Sequence, residues 1–146
     1  MGSIFSVSLK LPYKKIPDGK GGFGYYAALP VNIALPTRNS PRTKRFEAII
    51  DSGASRCIFH AQIGQAIGLE IEKGEIEVTQ GVAGPTPTYL HDISLYAPGG
   101  VIAIRAGFSA KLPVAGILGM MGFFENFKIT FDPSALRCEL ERVYKA

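Results

Sequence analysis

Cysteine and histidine each occur only twice in the 146 residues. Cys57 and Cys138 lie far apart and make no C-x-x-C spacing, so neither a disulfide framework nor a thiolate metal site is expected. So few cysteines suit a reducing compartment, and a cytoplasmic location is the expectation. His60 and His91 stand in no H-E-x-x-H pattern, which argues against a zinc site. No apolar run approaches the roughly 18 residues of a transmembrane helix. The first residues lack a signal-peptide core. Met1-Gly2-Ser3-Ile4-Phe5-Ser6 matches the myristoylation pattern. Residues 4–11, however, already alternate as a strand, with Phe5, Val7, Leu9 and Leu11 on one face. No stable membrane association is expected. The net charge of +4 is too modest to mark a nucleic-acid binder. Arg38, Arg42, Lys44 and Arg45 form one basic loop, which reads as a solvated surface.

What is present is apolar residues in short segments. Hydrophobic residues make up 47% of the chain, rich for a lone monomer, so some apolar surface is expected to serve a subunit interface. The 17 glycines and 10 prolines are scattered, which divides the chain into many short strands rather than a disordered tract. Length suits one domain, and no internal repeat is visible. Residues 12–24 read as a loop. Within it, Gly19-Lys20-Gly21-Gly22-Phe23-Gly24 spells G-x-G-x-x-G. A dinucleotide site needs a strand before that motif and a helix after it. Pro17-Asp18 precede it and the β-prone Tyr25-Tyr26 follow, so a hairpin loop is expected instead. Residues 25–35 read as a strand region in which Pro30 marks an edge or bulge.

Phe46 to Ile50 is a strand that becomes continuously apolar, as strands buried on both faces do. It delivers Asp51 into the turn Ser52-Gly53. A buried carboxylate needs hydrogen bonds, a partner or a task. Asp-Ser-Gly is most often a plain turn, but here the turn sits between apolar flanks. Downstream, residues 57–69 suggest a helix weakened by Gly64. Glu75 to Thr79 is a strand with Ile76 and Val78 expected inward. Gln80-Gly81-Val82-Ala83-Gly84-Pro85 is a turn, and Thr86 to Tyr96 is the returning strand. Val101 to Phe108 is a strand. Val114 to Gly119 is an apolar segment. Residues 120–127 read as a short helix, 127–131 as a strand and 137–144 as a last strand.

Ile50-Asp51-Ser52-Gly53-Ala54, with Ile58 seven residues after the acid, resembles the active-site loop of retroviral-type (retropepsin-like) aspartic proteases. Ile117-Leu118-Gly119 is similar to that family's apolar-apolar-Gly element, and the hairpin between the two occupies the place of its flap. The resemblance spans roughly residues 46–136 and looks most like a cellular or bacterial relative. It implies a mainly β, closed β-barrel-type acid-protease fold with one or two short helices, in one domain over residues 1–146. One Asp-Ser-Gly per chain implies a homodimer with Asp51 from each copy at a twofold axis. The implied activity is hydrolysis of peptide bonds in a polypeptide substrate, with no metal or organic cofactor. The catalytic residue is Asp51, and Ser52, Gly53 and Ala54 support the loop. Gln80, Gly81, Val82, Ala83 and Gly84 form the flap over the substrate, and Ile117, Leu118 and Gly119 line pockets and brace the loop. The sequence departs from the retroviral pattern at Arg56, where an acid is usual, and at Met120 and Met121, where Arg or Asn and then Asp are usual. The polar network those residues make at the retroviral dimer interface is therefore absent. The alternative reading is a non-catalytic dimerisation or peptide-binding module of the same fold.

Overall fold

A computed structural model describes residues 8–79 and 85–144. In chain order its strands are β1 Ser8–Pro12, β2 Lys14–Pro17, β3 Phe23–Tyr26, β4 Ala28–Ala34, β5 Phe46–Ile50 and β6 Ile58–His60, then β7 Glu75–Thr79, β8 Thr86–Ala97, β9 Gly100–Ser109, β10 Gly116–Leu118, β11 Phe127–Asp132 and β12 Arg137–Arg142. One α-helix, α1 Ala61–Ala66, follows β6. Among the described residues no helix is long and apolar enough to cross a membrane.

Six strands close a barrel in the order β4-β5-β10-β6-β9-β8, with β8 pairing back to β4 through Asn32–Tyr96, Ile33–Leu95 and Ala34–Ser94. Closure removes free edges from this part of the sheet. Strand β7 hangs on the outside of β8. The barrel interior is filled by Leu29, Val31, Ile33, Ala48, Ile50, Phe59, Ile93, Leu95, Phe108 and Leu118, each almost wholly buried. Phe59 contacts both Phe46 and Phe108, with ring centroids 5.8 and 5.9 Å apart. A second sheet, β1-β12-β11, joins the two ends of the described chain and buries Cys138, Leu140 and Phe127 beneath it.

Pro30 lies inside β4 and pairs with Glu47 of β5. The β4 pairing with β8 starts only at Asn32, so the missing N–H of Pro30 falls where β4 has one neighbour. Three sequence expectations are corrected. Residues 12–24 are not one loop, because Lys14–Pro17 and Phe23–Tyr26 pair as an antiparallel ribbon around a tip at Asp18–Gly22. Residues 57–69 divide into strand β6 and the short α1, because Ile58 and Phe59 are taken up by pairing to β9 and β10. Residues 120–126 form turns rather than a helix. Gly122 takes φ +94°, outside the helical region, and Phe124 N and Glu125 N donate to Gly119 O and Met120 O, five residues back. The segment still buries Phe123, which stacks on Phe127 at 4.6 Å.

Candidate active site

Strand β5 buries Ala48 and Ile50 in the barrel and leads into Asp51. Its neighbours fix where that end lies. Ile50 N donates to Ala27 O at 2.8 Å, and Asp51 N donates to Leu118 O at 3.0 Å. The carboxylate then turns back on its own loop, where Oδ1 accepts Gly53 N at 2.8 Å. Ala54 N closes the turn on Asp51 O at 3.2 Å. Asp51 is half-buried, whereas Ser52 and Gly53 are exposed. Among the described residues Oδ2 of Asp51 has no hydrogen-bond partner. One oxygen is thus held and the other left open, which suits a carboxylate that works on a molecule arriving from outside.

Strand β10 braces this loop. It lies between β5 and β6, parallel to the first and antiparallel to the second. The strands on either side of the Asp51 loop are therefore joined through residues far along the chain. Leu118 is fully buried and Ile117 half-buried, so Leu118 supports the loop from within while Ile117 keeps part of its surface free. Beyond β10, Met120 N donates to Ala54 O at 2.8 Å and Met121 N to Ser55 O at 2.9 Å. Gly119 is what allows this contact. A Cβ there would sit 2.5 Å from Arg56 O and 2.7 Å from Ala54 O, inside any permitted contact.

Arg56 is the residue whose role the sequence did not reveal. Its Nε and Nη2 donate to Oε1 and Oε2 of Glu77 at 2.9 and 3.0 Å, and its Nη1 donates to Arg105 O at 3.0 Å. The side chain is only 15% exposed. It links the Asp51 loop to β7 and β9 at once. Arg105 adds further pairs to Glu75 and Asp92. Glu75 and Glu77 therefore face these arginines, and Ile76 and Val78 remain 61% and 54% exposed. The two apolar residues share the sheet face of Tyr89 and Phe108, as expected of an inward pair, but they are not covered. Strand β8 runs antiparallel to β7 up to the Thr79–Thr86 pair. The expected flap residues Gln80, Gly81, Val82, Ala83 and Gly84 lie outside the described residues.

Cys57, just beyond the loop, is no alternative nucleophile. Cys57 is fully buried, its Sγ lies 3.6 Å from Met121 O, and burial pushes its thiol up to about 11. A neutral, enclosed thiol is a poor nucleophile. Among the described residues no group of three or more His, Cys, Asp or Glu gathers as metal ligands.

No protein-family model matches the chain, and no curated protein sequence does. Solved structures do. A retropepsin-like aspartic protease from Rickettsia conorii is similar over 97% of this chain and 98% of its own, with TM-score 0.58 and 15% sequence identity. EIAV protease complexed with the inhibitor HBY-793 is similar over 64% of this chain and 81% of its own, with TM-score 0.49 and 18% identity. The rickettsial likeness runs nearly end to end on both chains at an identity that establishes architecture alone. Taken with the six-strand closure and the β10 brace beneath Asp51, it shows that this chain has the retropepsin-like fold.

Proposed function

We propose that the chain is an aspartic endopeptidase, active as a homodimer that brings together Asp51 from two copies. The observation that carries this reading is the state of Asp51 itself. It follows a strand that buries Ala48 and Ile50, one oxygen is fixed by Gly53 N at 2.8 Å, and the exposed Ser52 and Gly53 stand beside it. A lone carboxylate cannot be ionised and protonated at the same moment, as the attack step requires. Two carboxyls brought close resist double ionisation, so one keeps its proton. The ionised member removes a proton from a water held between them, and that water attacks the peptide carbonyl. The protonated member hydrogen-bonds the carbonyl oxygen, and a proton then passes to the leaving nitrogen.

The other residues take supporting roles in this reading. Ser52, exposed beside the acid, hydrogen-bonds across the twofold axis and fixes the paired loops. Gly53 leaves room for a substrate backbone, and Ala54 ties the loop to Met120. Ile117 lines a pocket and Leu118 and Gly119 set the loop's height. Residues Gln80 to Gly84 close over an extended polypeptide as a lid that excludes water. Two buried thiols suit work in a reducing compartment such as the cytoplasm.

The test is cleavage of an unfolded protein across acidic to neutral pH by wild type and Asp51→Asn. Hydrolysis is expected from the wild type and a loss of at least about a thousandfold from the variant. Hydrolysis that survives Asp51→Asn overturns the mechanism. A well-folded dimer that binds peptide without cutting it identifies a binding module.

A further inference from the structure

The ribbon formed by β2 and β3 is built unlike the rest of the molecule. It pairs with neither the barrel nor the β1-β12-β11 sheet. A two-stranded ribbon alone in water is at best marginal, yet this one is internally stiffened. At its tip Asp18 Oδ1 accepts Lys20 N at 2.7 Å and Gly22 N at 3.0 Å, with Gly19 and Gly21 at φ +77° and +82°. Its register sets Lys15 opposite Tyr25 and Pro17 opposite Phe23, so these four share one face. Phe23 and Tyr25 are each 51% exposed and meet edge to face at 5.7 Å. Lys15 Nζ stands 3.7 Å over the Phe23 ring. The result is a prearranged, half-exposed aromatic and cationic surface.

Its position is specific. The ribbon leads directly into Ala27, whose carbonyl accepts Ile50 N, and into Ala28, which pairs with Ile49. Its root therefore lies beside Asp51, on the β4 side of β5. On the other side of β5, β10 runs parallel to it and emerges at the same rim. There Met120 and Met121 are 47% and 42% exposed, with the exposed Glu125 close behind them. The root of the aromatic-cationic ribbon and the methionine-acidic patch thus lie on opposite sides of Asp51. A rotation by half a turn about an axis beside Asp51 that runs across the line joining the two sides exchanges them, and each copy then presents its ribbon to the other's methionines. Such an interface is self-complementary, as twofold symmetry demands. Thioethers pack well against aromatic edges, and methionine adapts to irregular surfaces.

We propose that the β2–β3 ribbon is a dimerisation arm. It packs Phe23 and Tyr25 against Met120 and Met121 of a second copy and sets Lys15 toward that copy's Glu125. The proposal rests on the paired-carboxylate reading of Asp51, which requires a second copy at this rim. It also gives the dimer an apolar hold in place of the polar residues that the sequence lacks at positions 56, 120 and 121.

Analytical ultracentrifugation of the full chain tests it. The Phe23→Ala/Tyr25→Ala variant and the Met120→Ala/Met121→Ala variant are each expected to raise the dimer dissociation constant by about tenfold or more. Ile76→Ala/Val78→Ala removes equally exposed apolar side chains from β7 and is expected to leave the constant unchanged. Thermal melting checks that each variant folds. A second measurement uses the burial of both native thiols. The Tyr25→Cys/Met120→Cys double variant is expected to give a covalent dimer on mild oxidation, well above either single variant. Ribbon and methionine variants that dimerise as tightly as wild type, a double variant that does not cross-link, or a wild type that stays monomeric each overturn the arm. The two proposals fail separately. Hydrolysis abolished by Asp51→Asn in a dimer indifferent to the ribbon removes only the arm. A ribbon-dependent dimer that hydrolyses nothing removes only the protease.

Discussion

At Gly119 a single hydrogen atom in place of a methyl group sets the height of the Asp51 loop. The carbonyl oxygens of Ala54 and Arg56 lie where a Cβ would go, and both belong to backbone that cannot swing aside. Gly119→Ala is expected to cost about 1–3 kcal/mol in overpacking and to lower any Asp51-dependent hydrolysis more than it lowers the melting temperature. Denaturant unfolding and peptide cleavage measured on the same preparation check the two parts. Cys57 supplies a second prediction at this scale. Its thiol titrates near 9.0 when free and at about 11 in the fold, so the folded state holds its proton over a range where the unfolded chain has lost it. Its contribution is fully present below pH 9 and disappears as pH rises through about 11. That contribution is on the order of 2 kcal/mol. Melting curves over this range are expected to show a drop that Cys57→Ala reduces. Burial also raises Cys138 and Tyr13, which add to the same alkaline decline. That Asp51 follows a strand in a glycine turn was legible in the sequence because the cues are consecutive: an apolar strand, an acid, a glycine. The Arg56–Glu77 pair was not, because the partner lies 21 residues away and either residue alone reads as surface charge.

Strand β7 shows the limit of pattern at the scale of the element. Period-two alternation tells which residues share a face and not which face turns inward. Apolar residues inside is the ordinary assumption, but here the acids of β7 are held by Arg56 and Arg105 while Ile76 and Val78 stay exposed. The bidentate pair of Arg56 and Glu77 is shielded enough to matter, with Glu77 34% exposed. Glu77→Ala is expected to loosen β7 by about 1 kcal/mol, read as faster amide exchange in β7 with β9 unaffected. Glu75→Ala, which removes a more exposed pair, is expected to do less in the same measurement. The 120–127 segment failed in the opposite way. Its apolar spacing suits a helix, yet Gly122 adopts a backbone that no helix permits, and the turns still deliver Phe123 and Phe127 to the core. Spacing recorded which residues are buried and not the path between them.

Barrel closure, at the scale of the whole molecule, depends on Asn32 to Ala34 meeting Ser94 to Tyr96, some sixty positions apart. No local cue announces such a pairing, so a barrel could be anticipated only through family resemblance. The twofold assembly belongs to this scale too. If the active unit contains two copies, hydrolysis per chain is expected to fall on dilution through the dissociation constant, and a rate strictly proportional to protein concentration at every dilution removes the shared site. Mixing wild type with Asp51→Asn is expected to depress activity beyond simple dilution, because mixed dimers carry one acid.

The threading of β10 between β5 and β6 has a consequence for biosynthesis. Residues 116–118 fill a slot whose walls are made some sixty residues earlier. Until they leave the ribosome, those walls have no strand between them, and Asp51 N and the loop behind it lack their backbone partners. Such distant pairings form late. Whatever Asp51 is capable of is therefore withheld from the nascent chain and from neighbouring polypeptides still being made.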